Sequence, residues 1–249
     1  MVSPGIAGVP AILLVGGLGS RLRPVTGDLP KPMAPVLARP FLEHLLVFLR
    51  RSGVREVVLC VGYGAEVIRA HFGDGTRLGL VVGYSVERDL LGTGGALKLG
   101  MSVAGDPARC IAMNGDSFIE LDLAGMLRAH VDAGAAITVA LASVTRTDRF
   151  GAVSVDPETG VIVSFGEKQG TGPGLINGGV YIVERQVVQS IPGGVVSFER
   201  DVLAARAGRD IRGFPADGMF LDIGIPEDYR RLEAAPESFL AAVQGNPRG

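Results

Sequence analysis

The stretch Ala11-Ile12-Leu13-Leu14-Val15-Gly16-Gly17-Leu18-Gly19 constrains this chain more than any other. Five consecutive apolar residues do not suit a half-solvated sheet. The run reads as a strand buried on both faces, as in a parallel sheet covered by helices. Gly16, Gly17 and Gly19 follow, and without Cβ atoms the backbone can turn sharply and bring its amides close to an anion. Ser20, Arg21 and Arg23 continue the loop, and Lys31 stands between Pro30 and Pro32. A glycine-rich turn at the carboxyl end of a buried strand, followed by fixed cations, is where an α/β protein holds a polyphosphate.

The chain then repeats this alternation. Phe41, Leu42, Leu45, Leu46, Phe48 and Leu49 recur at helical spacing before Gly53. Strands are expected over 56–61, 80–86 and 109–113, and helices over 65–72, from 91–96 to about Met101 with Thr93 as N-cap, and over 123–131. Units of about 25–30 residues predict a doubly wound, mostly parallel α/β sheet with right-handed crossovers. Past Gly134 the candidates are strands at 136–142, 151–155, 161–165 and 178–183, separated by turns such as Asp156-Pro157-Glu158-Thr159-Gly160. This predicts a mixed or antiparallel β-rich region added to the core. A helix over 197–206 with Ser197 as N-cap, strands at 211–214 and 219–223, and helices at 226–235 and 236–243 complete the reading. We expect one domain over 1–249, with one half at about 10–134 and another at about 135–240.

Which polyphosphate motif this is can be narrowed by elimination. A Walker A loop needs Lys-Ser or Lys-Thr after its last glycine, and Gly19 is followed by Ser20-Arg21. A dinucleotide fingerprint needs a third glycine, where Leu22 stands. The pattern Gly16-Gly17-Leu18-Gly19-Ser20-Arg21-Leu22 with Pro30-Lys31-Pro32 resembles instead the nucleotide-binding signature of the sugar-1-phosphate nucleotidylyltransferases. Later segments carry the same resemblance: Asn114-Gly115-Asp116, Glu167-Lys168, Asn177-Gly178-Gly179 and Phe220-Leu221-Asp222-Ile223-Gly224. Together they span Ala11 to about Leu232.

The resemblance implies a Rossmann-like nucleotide-diphospho-sugar transferase fold with a small β-rich sugar-binding region. It implies attack of a sugar 1-phosphate on the α-phosphorus of a nucleoside triphosphate, assisted by Mg2+; with no Ser-His or Cys-His arrangement to suggest an activated nucleophile, direct displacement without a covalent intermediate is expected. Arg21, Lys31 and Asp116 would then be catalytic. Val15, Gly16, Gly17, Gly19, Ser20, Arg21, Lys31, Gly92 and Thr93 would hold the nucleotide, and Asp116, Glu167, Lys168, Asn177 and Gly178 the sugar phosphate. Asp116 and Asp222 would hold magnesium, an ion that takes one or two protein carboxylates and completes its shell with water and phosphate oxygens. The family usually has proline at Gln169, Trp at Phe220 and Thr at Ile225. Within the family, Lys31-Pro32-Met33-Ala34-Pro35-Val36, Arg39-Pro40-Phe41-Leu42-Glu43 and Leu91-Gly92-Thr93-Gly94-Gly95-Ala96 most resemble the heptose 1-phosphate guanylyltransferases, which implies GTP as donor. Hexose- and N-acetylmuramate-phosphate enzymes are similar in the same segments, and a non-catalytic nucleotide-sugar sensor is the alternative from another class.

Composition removes other classes. A net charge of −2 over 249 residues gives no general attraction to nucleic acid. Cys60 and Cys110 fall in expected strands and read as core, and His44, His71 and His130 form no zinc pattern. The amino terminus has no basic n-region, and its apolar run of about five residues is too short for a signal peptide or membrane span, so a cytoplasmic enzyme is expected. No hexapeptide repeat follows the core, so no acetyltransferase extension is expected. A homo-oligomer is compatible with all of this.

Overall fold

The computed structural model describes residues 5–17, 27, 29–166 and 172–245. Its first strand, β1 (Ala11–Leu14), is flanked by a short hairpin, β2 (Pro35–Val36) and β3 (Arg39–Pro40), leading into α1 (Phe41–Arg51). Then come β4 (Glu56–Val61), α2 (Ala65–Phe72), β5 (Val81–Val86), α3 (Gly92–Val103) and β6 (Arg109–Asn114). A three-residue strand, β7 (Ser117–Ile119), precedes α4 (Leu123–Asp132) and β8 (Ile137–Val144). The hairpin β9 (Val153–Val155) and β10 (Ile162–Phe165) is followed by the long β11 (Gly174–Glu184) and α5 (Arg185–Ser190). A π-helical turn, Phe198–Leu203, runs into α6 (Ala204–Arg206). The chain closes with β12 (Ile211–Ala216), β13 (Phe220–Asp222), α7 (Pro226–Ala234) and α8 (Glu237–Gln244).

Seven strands form one sheet in the order β12-β8-β11-β6-β1-β4-β5. β11 runs antiparallel to both its neighbours, and every other pairing in the sheet is parallel. The expected β-rich region thus resolves into two parts. β8, β11 and β12 extend the main sheet, and β9–β10 stands apart as a small hairpin.

Alternate residues of each strand feed two cores, one on each face. Leu13, Met113, Ala140 and Ile182 point to the side covered by α1, α2, α4 and α8. Ile12, Ala112, Val139 and Tyr181 point to the side covered by α3, α5 and the π-helical turn. The period of two in each strand, set against apolar stripes on helices, makes this three-layer arrangement. Cys60 and Cys110 are both free and wholly buried, as their strand positions imply.

The order of strands reverses at β1. The chain leaves β1 toward β4 and β5, then returns to lay β6 on β1's other edge. Leu14 therefore stands between Cys60 and Asn114, its register partners at the carboxyl ends of β4 and β6. In an open α/β sheet this switch point opens a crevice for ligand.

Candidate active site

A cavity of about 360 Å³ opens at that switch point. Val15, Gly16 and Gly17 line it from β1, Lys31 and Pro32 from the Pro-Lys-Pro turn, Gly92 and Thr93 from the start of α3, and Asn114 and Asp116 from the end of β6. Segments far apart in sequence thus meet at one cavity, and Asn177, Gly178 and Asp222 are not among the residues that line it. Gly19, Ser20 and Arg21 lie outside the described residues, as do Glu167 and Lys168.

Lys31 is the centre of one end. It sits in a 3-10 turn, Lys31–Met33, closed by Met33 N donating to Pro30 O at 2.8 Å. The prolines on either side fix φ and leave the turn little freedom. Tyr229 Oη donates to Pro35 O at 2.6 Å and ties the segment to α7. Held this way, Lys31 Nζ lies 2.6 Å from Asp116 Oδ2 and 3.9 Å from Asp222 Oδ1.

The two aspartates come together because β13 pairs with β7. Asp222 is the register partner of Ser117, and Ile223 N donates to Asp116 O at 3.0 Å. Burial pushes the Asp222 carboxyl above its usual range, the Asp116 charge adds to this, and Lys31 and the Gly224 N–H oppose it. Gly224 N donates to Asp222 Oδ1 at 2.7 Å. A Cβ at Gly224 would run into Lys31 Nζ and stand 2.8 Å from Asp222 Oδ1, so the close approach of lysine to carboxylates requires glycine here.

Among the described residues no group of three or more His, Cys, Asp or Glu converges to hold an ion. Two carboxylates sharing one cationic partner match an ion that takes one or two protein carboxylates and fills the rest of its shell from water and phosphate.

The segment Asn177-Gly178-Gly179 forms a β-bulge. Pairing of β11 with β8 shifts between Asn177 and Tyr181. Asn177 Oδ1 accepts from Gly179 N at 3.0 Å, and Asn177 Nδ2 donates to Tyr181 Oη at 2.8 Å. Asn177 therefore holds the bulge with both ends of its amide, and one Nδ2 hydrogen remains for another acceptor. Gly178 is buried, and a Cβ there would press on Ile119 and Ala140.

Thr93 is not the N-cap that its sequence position suggests. Leu91 occupies that place, without a side-chain cap. Thr93 reaches across instead, accepting from Phe198 N at 2.7 Å and donating to Glu199 Oε2 at 2.8 Å. Two backbone bonds of 2.8 Å, Gly94 N to Val196 O and Val196 N to Leu91 O, complete the clasp between α3 and the π-helical turn. Ser197 does cap that turn, its Oγ accepting from Arg200 N at 3.2 Å.

Glu87 and Glu199 also line the cavity, and the sequence did not single them out as site residues. Glu87 Oε2 accepts from Leu91 N at 3.1 Å. Isolated glutamates, one in a loop and one in the π-helical turn, carry no motif, and only their contacts with Leu91 and Thr93 reveal them.

A family description, Nucleotidyl transferase, matches residues 10–236. The chain belongs to the nucleotidyl transferase family. D-glycero-alpha-D-manno-heptose 1-phosphate guanylyltransferase of Aneurinibacillus thermoaerophilus is 37% identical over 232 residues, covering 92% of this chain and 99% of the relative. The enzyme of the same name from Campylobacter jejuni is 39% identical over 220 residues, covering 88% and 96%. The crystal structure of HddC from Yersinia pseudotuberculosis complexed with GMP-PN matches with a TM-score of 0.81 at 32% identity, covering 91% of this chain and 98% of that one. The expected mostly parallel α/β fold is therefore the fold of this nucleotidyl transferase. Among its described residues, no helix is long and apolar enough to cross a membrane.

Proposed function

We propose that this nucleotidyl transferase joins D-glycero-α-D-manno-heptose 1-phosphate to GTP, giving the GDP-sugar and pyrophosphate. The observation that carries the reading is the convergence of Asp116 and Asp222 on Lys31, which lines a crevice together with Gly16 and Gly17. Full-length similarity to two heptose 1-phosphate guanylyltransferases supports the choice of substrates.

In the reaction a phosphate oxygen of the sugar 1-phosphate bonds to the α-phosphorus, and the bond from that phosphorus to the bridging oxygen breaks. The electron pair leaves with pyrophosphate. Little covalent help is needed; charge neutralisation and in-line placement are. Lys31 holds phosphate oxygen beside the reacting phosphorus. The amides of Gly16 and Gly17 approach the triphosphate from the end of β1. Asp116 and Asp222 would hold Mg2+, which when bound withdraws charge from phosphate oxygens. Arg21 in the loop adds a second cation, and Glu167 and Lys168 engage the sugar phosphate; their sequence positions support both roles.

The displacement is read as direct, and the one thiol bordering the cavity among its described residues is not an activated nucleophile. Cys60 borders it, but burial pushes its thiol up to about 12, and its Sγ donates to Ala96 O at 3.3 Å. A thiol held protonated is a poor nucleophile. The test is pyrophosphate release with Mg2+ across GTP, ATP, UTP, CTP and dTTP against heptose, mannose and glucose 1-phosphates. The highest kcat/KM is expected for GTP with the heptose phosphate. A clear preference for a uridine or thymidine donor with a hexose phosphate would overturn the substrate pair, and no release with any pair would favour a sensor.

A further inference from the structure

We propose that Glu199 accepts hydrogen bonds from ring hydroxyls of the sugar 1-phosphate and so determines which sugar the site takes. The inference rests on the nucleotidyl-transfer reading above and extends it to a residue that no motif marks.

Among the cavity's described lining residues Lys31 is the one cation, and it sits at the end holding Asp116. Glu199 and Glu87 lie at the side formed by the start of α3, where no described lysine or arginine lines the wall. A carboxylate is a poor neighbour for phosphate, since like charges repel, and it accepts without donating. What it suits is a donor-rich neutral group, and the substrate's sugar ring offers hydroxyls.

Two contacts connect the turn that carries Glu199 to the segment expected to meet the sugar. Phe198, its chain neighbour, packs edge-on against Tyr181 with ring centroids 5.2 Å apart. The Tyr181 hydroxyl holds Asn177, so a chain of contacts runs from the turn that carries Glu199 to the β11 bulge. Glu87, by contrast, belongs to the loop between β5 and α3 and is held by Leu91 N.

The carboxylate is also aimed. Thr93 Oγ1 and Ser197 Oγ both donate to Oε2, at 2.8 and 3.4 Å. No hydrogen bond to Oε1 is made among the described residues. A half-buried carboxylate with one oxygen fixed and one open is a preorganised acceptor. The plain alternative is that Glu199 serves only to clasp α3 to the π-helical turn. Thr93 already makes that connection to Phe198 N, so the clasp does not need the second oxygen.

The experiment compares wild type, Glu199→Gln, Glu199→Ala and Thr93→Val on the heptose 1-phosphate and its 2-, 3- and 4-deoxy analogues at saturating GTP, with thermal melting of each. Wild type should reject at least one deoxy analogue by roughly tenfold or more in kcat/KM, the usual result when a polar site loses its partner. Glu199→Ala should lower kcat/KM for the parent sugar and shrink that discrimination to about threefold or less, with Glu199→Gln between, while GTP KM stays within about twofold. Thr93→Val keeps the carboxylate but removes the hydroxyl that fixes Oε2, so it should retain more of the discrimination than Glu199→Ala does. Unchanged discrimination in both Glu199 variants, a loss confined to GTP KM, or an equal collapse in Thr93→Val would each overturn the proposal. Absence of pyrophosphate release by wild type with every sugar phosphate would overturn the reaction itself and this inference with it.

Discussion

Lys31 Nζ stands 2.6 Å from Asp116 Oδ2, although 85 residues separate them. Proline-fixed backbone on one side and the β7–β13 pair on the other put the two charges at one point without either side chain searching for the other. Lys31→Ala should lower kcat by roughly 10²–10³, the usual loss when one preorganised charge donor is removed. Its effect on nucleotide KM should be smaller, because the contact strengthens as charge moves onto the leaving pyrophosphate. Steady-state kinetics separates the two constants, and an effect on KM alone would make Lys31 a binding residue only.

Asp222→Asn addresses the second carboxylate. It keeps the acceptor for Gly224 N–H and removes the charge that an ion would meet. Turnover at a fixed Mg2+ concentration should fall by roughly 10²-fold or more, with thermal stability almost unchanged. Initial rates measured against Mg2+ concentration check this. Near-normal rates in Asp222→Asn would mean that the ion is held elsewhere.

Much of this was legible in the chain, and the exceptions share a cause. Glu56–Val61 and Ala65–Phe72 match their expected bounds because each is an apolar run or stripe ended by a glycine turn. The glycine loop, Lys31, Asp116 and Asp222 were readable as segments in a known order. β7, the β2–β3 hairpin and α5 were not, since two to six residues hold too little pattern. The same holds for side-chain roles. Thr93 looked like a cap by local rules, but its partner lies 105 residues on, at Phe198 N, and Glu199 acquires meaning only from that contact. Distance in sequence, not chemistry, hid the second wall of the site.

Stability should depend on pH through His130, far from the cavity. Its ring is buried, with Nδ1 2.8 Å from Thr138 Oγ1 and Nε2 3.0 Å from Glu184 Oε1, which also accepts from Arg109 Nε at 2.6 Å. A neutral imidazole with its proton on Nε2 donates to Glu184 and accepts from the threonine hydroxyl. Burial pushes the pKa below its usual 6.5, and the hydrogen bond and charge of Glu184 oppose this without reversing it. The unfolded chain therefore takes up a proton near pH 6.5 that the folded protein does not. This contribution to stability is complete above that pH and declines as pH falls toward the folded pKa. Urea unfolding at a series of pH values should show a shallower decline for His130→Gln than for wild type below pH 6.5.

Two glycine-to-alanine changes should separate activity from stability. At Gly224 the added methyl meets the far end of Lys31 and the Asp222 carboxylate, and the backbone does not lie in the left-handed region. A lysine terminus can swing away at small cost, so folding stability should change by less than about 1 kcal/mol. The swing takes the ammonium off its aspartates, and kcat should fall by roughly tenfold or more, since misplacing a charge by an ångström is enough to lose that much. Gly92 is the opposite case. Its φ is +70°, and a Cβ would lie 2.5 Å from Val196 O and 2.9 Å from its carbonyl carbon, both backbone atoms. Neither can move without breaking the bonds from Gly94 N to Val196 O and from Val196 N to Leu91 O that join α3 to the π-helical turn. Gly92→Ala should therefore cost about 1–3 kcal/mol of stability and raise GTP KM, because the start of α3 lines the cavity. Thermal melting beside steady-state kinetics reads both effects. Equal destabilisation by the two substitutions would show that the Lys31 turn is part of the structural frame and not a movable arm, and a normal melting curve for Gly92→Ala would show that the clasp can loosen without loss of the fold.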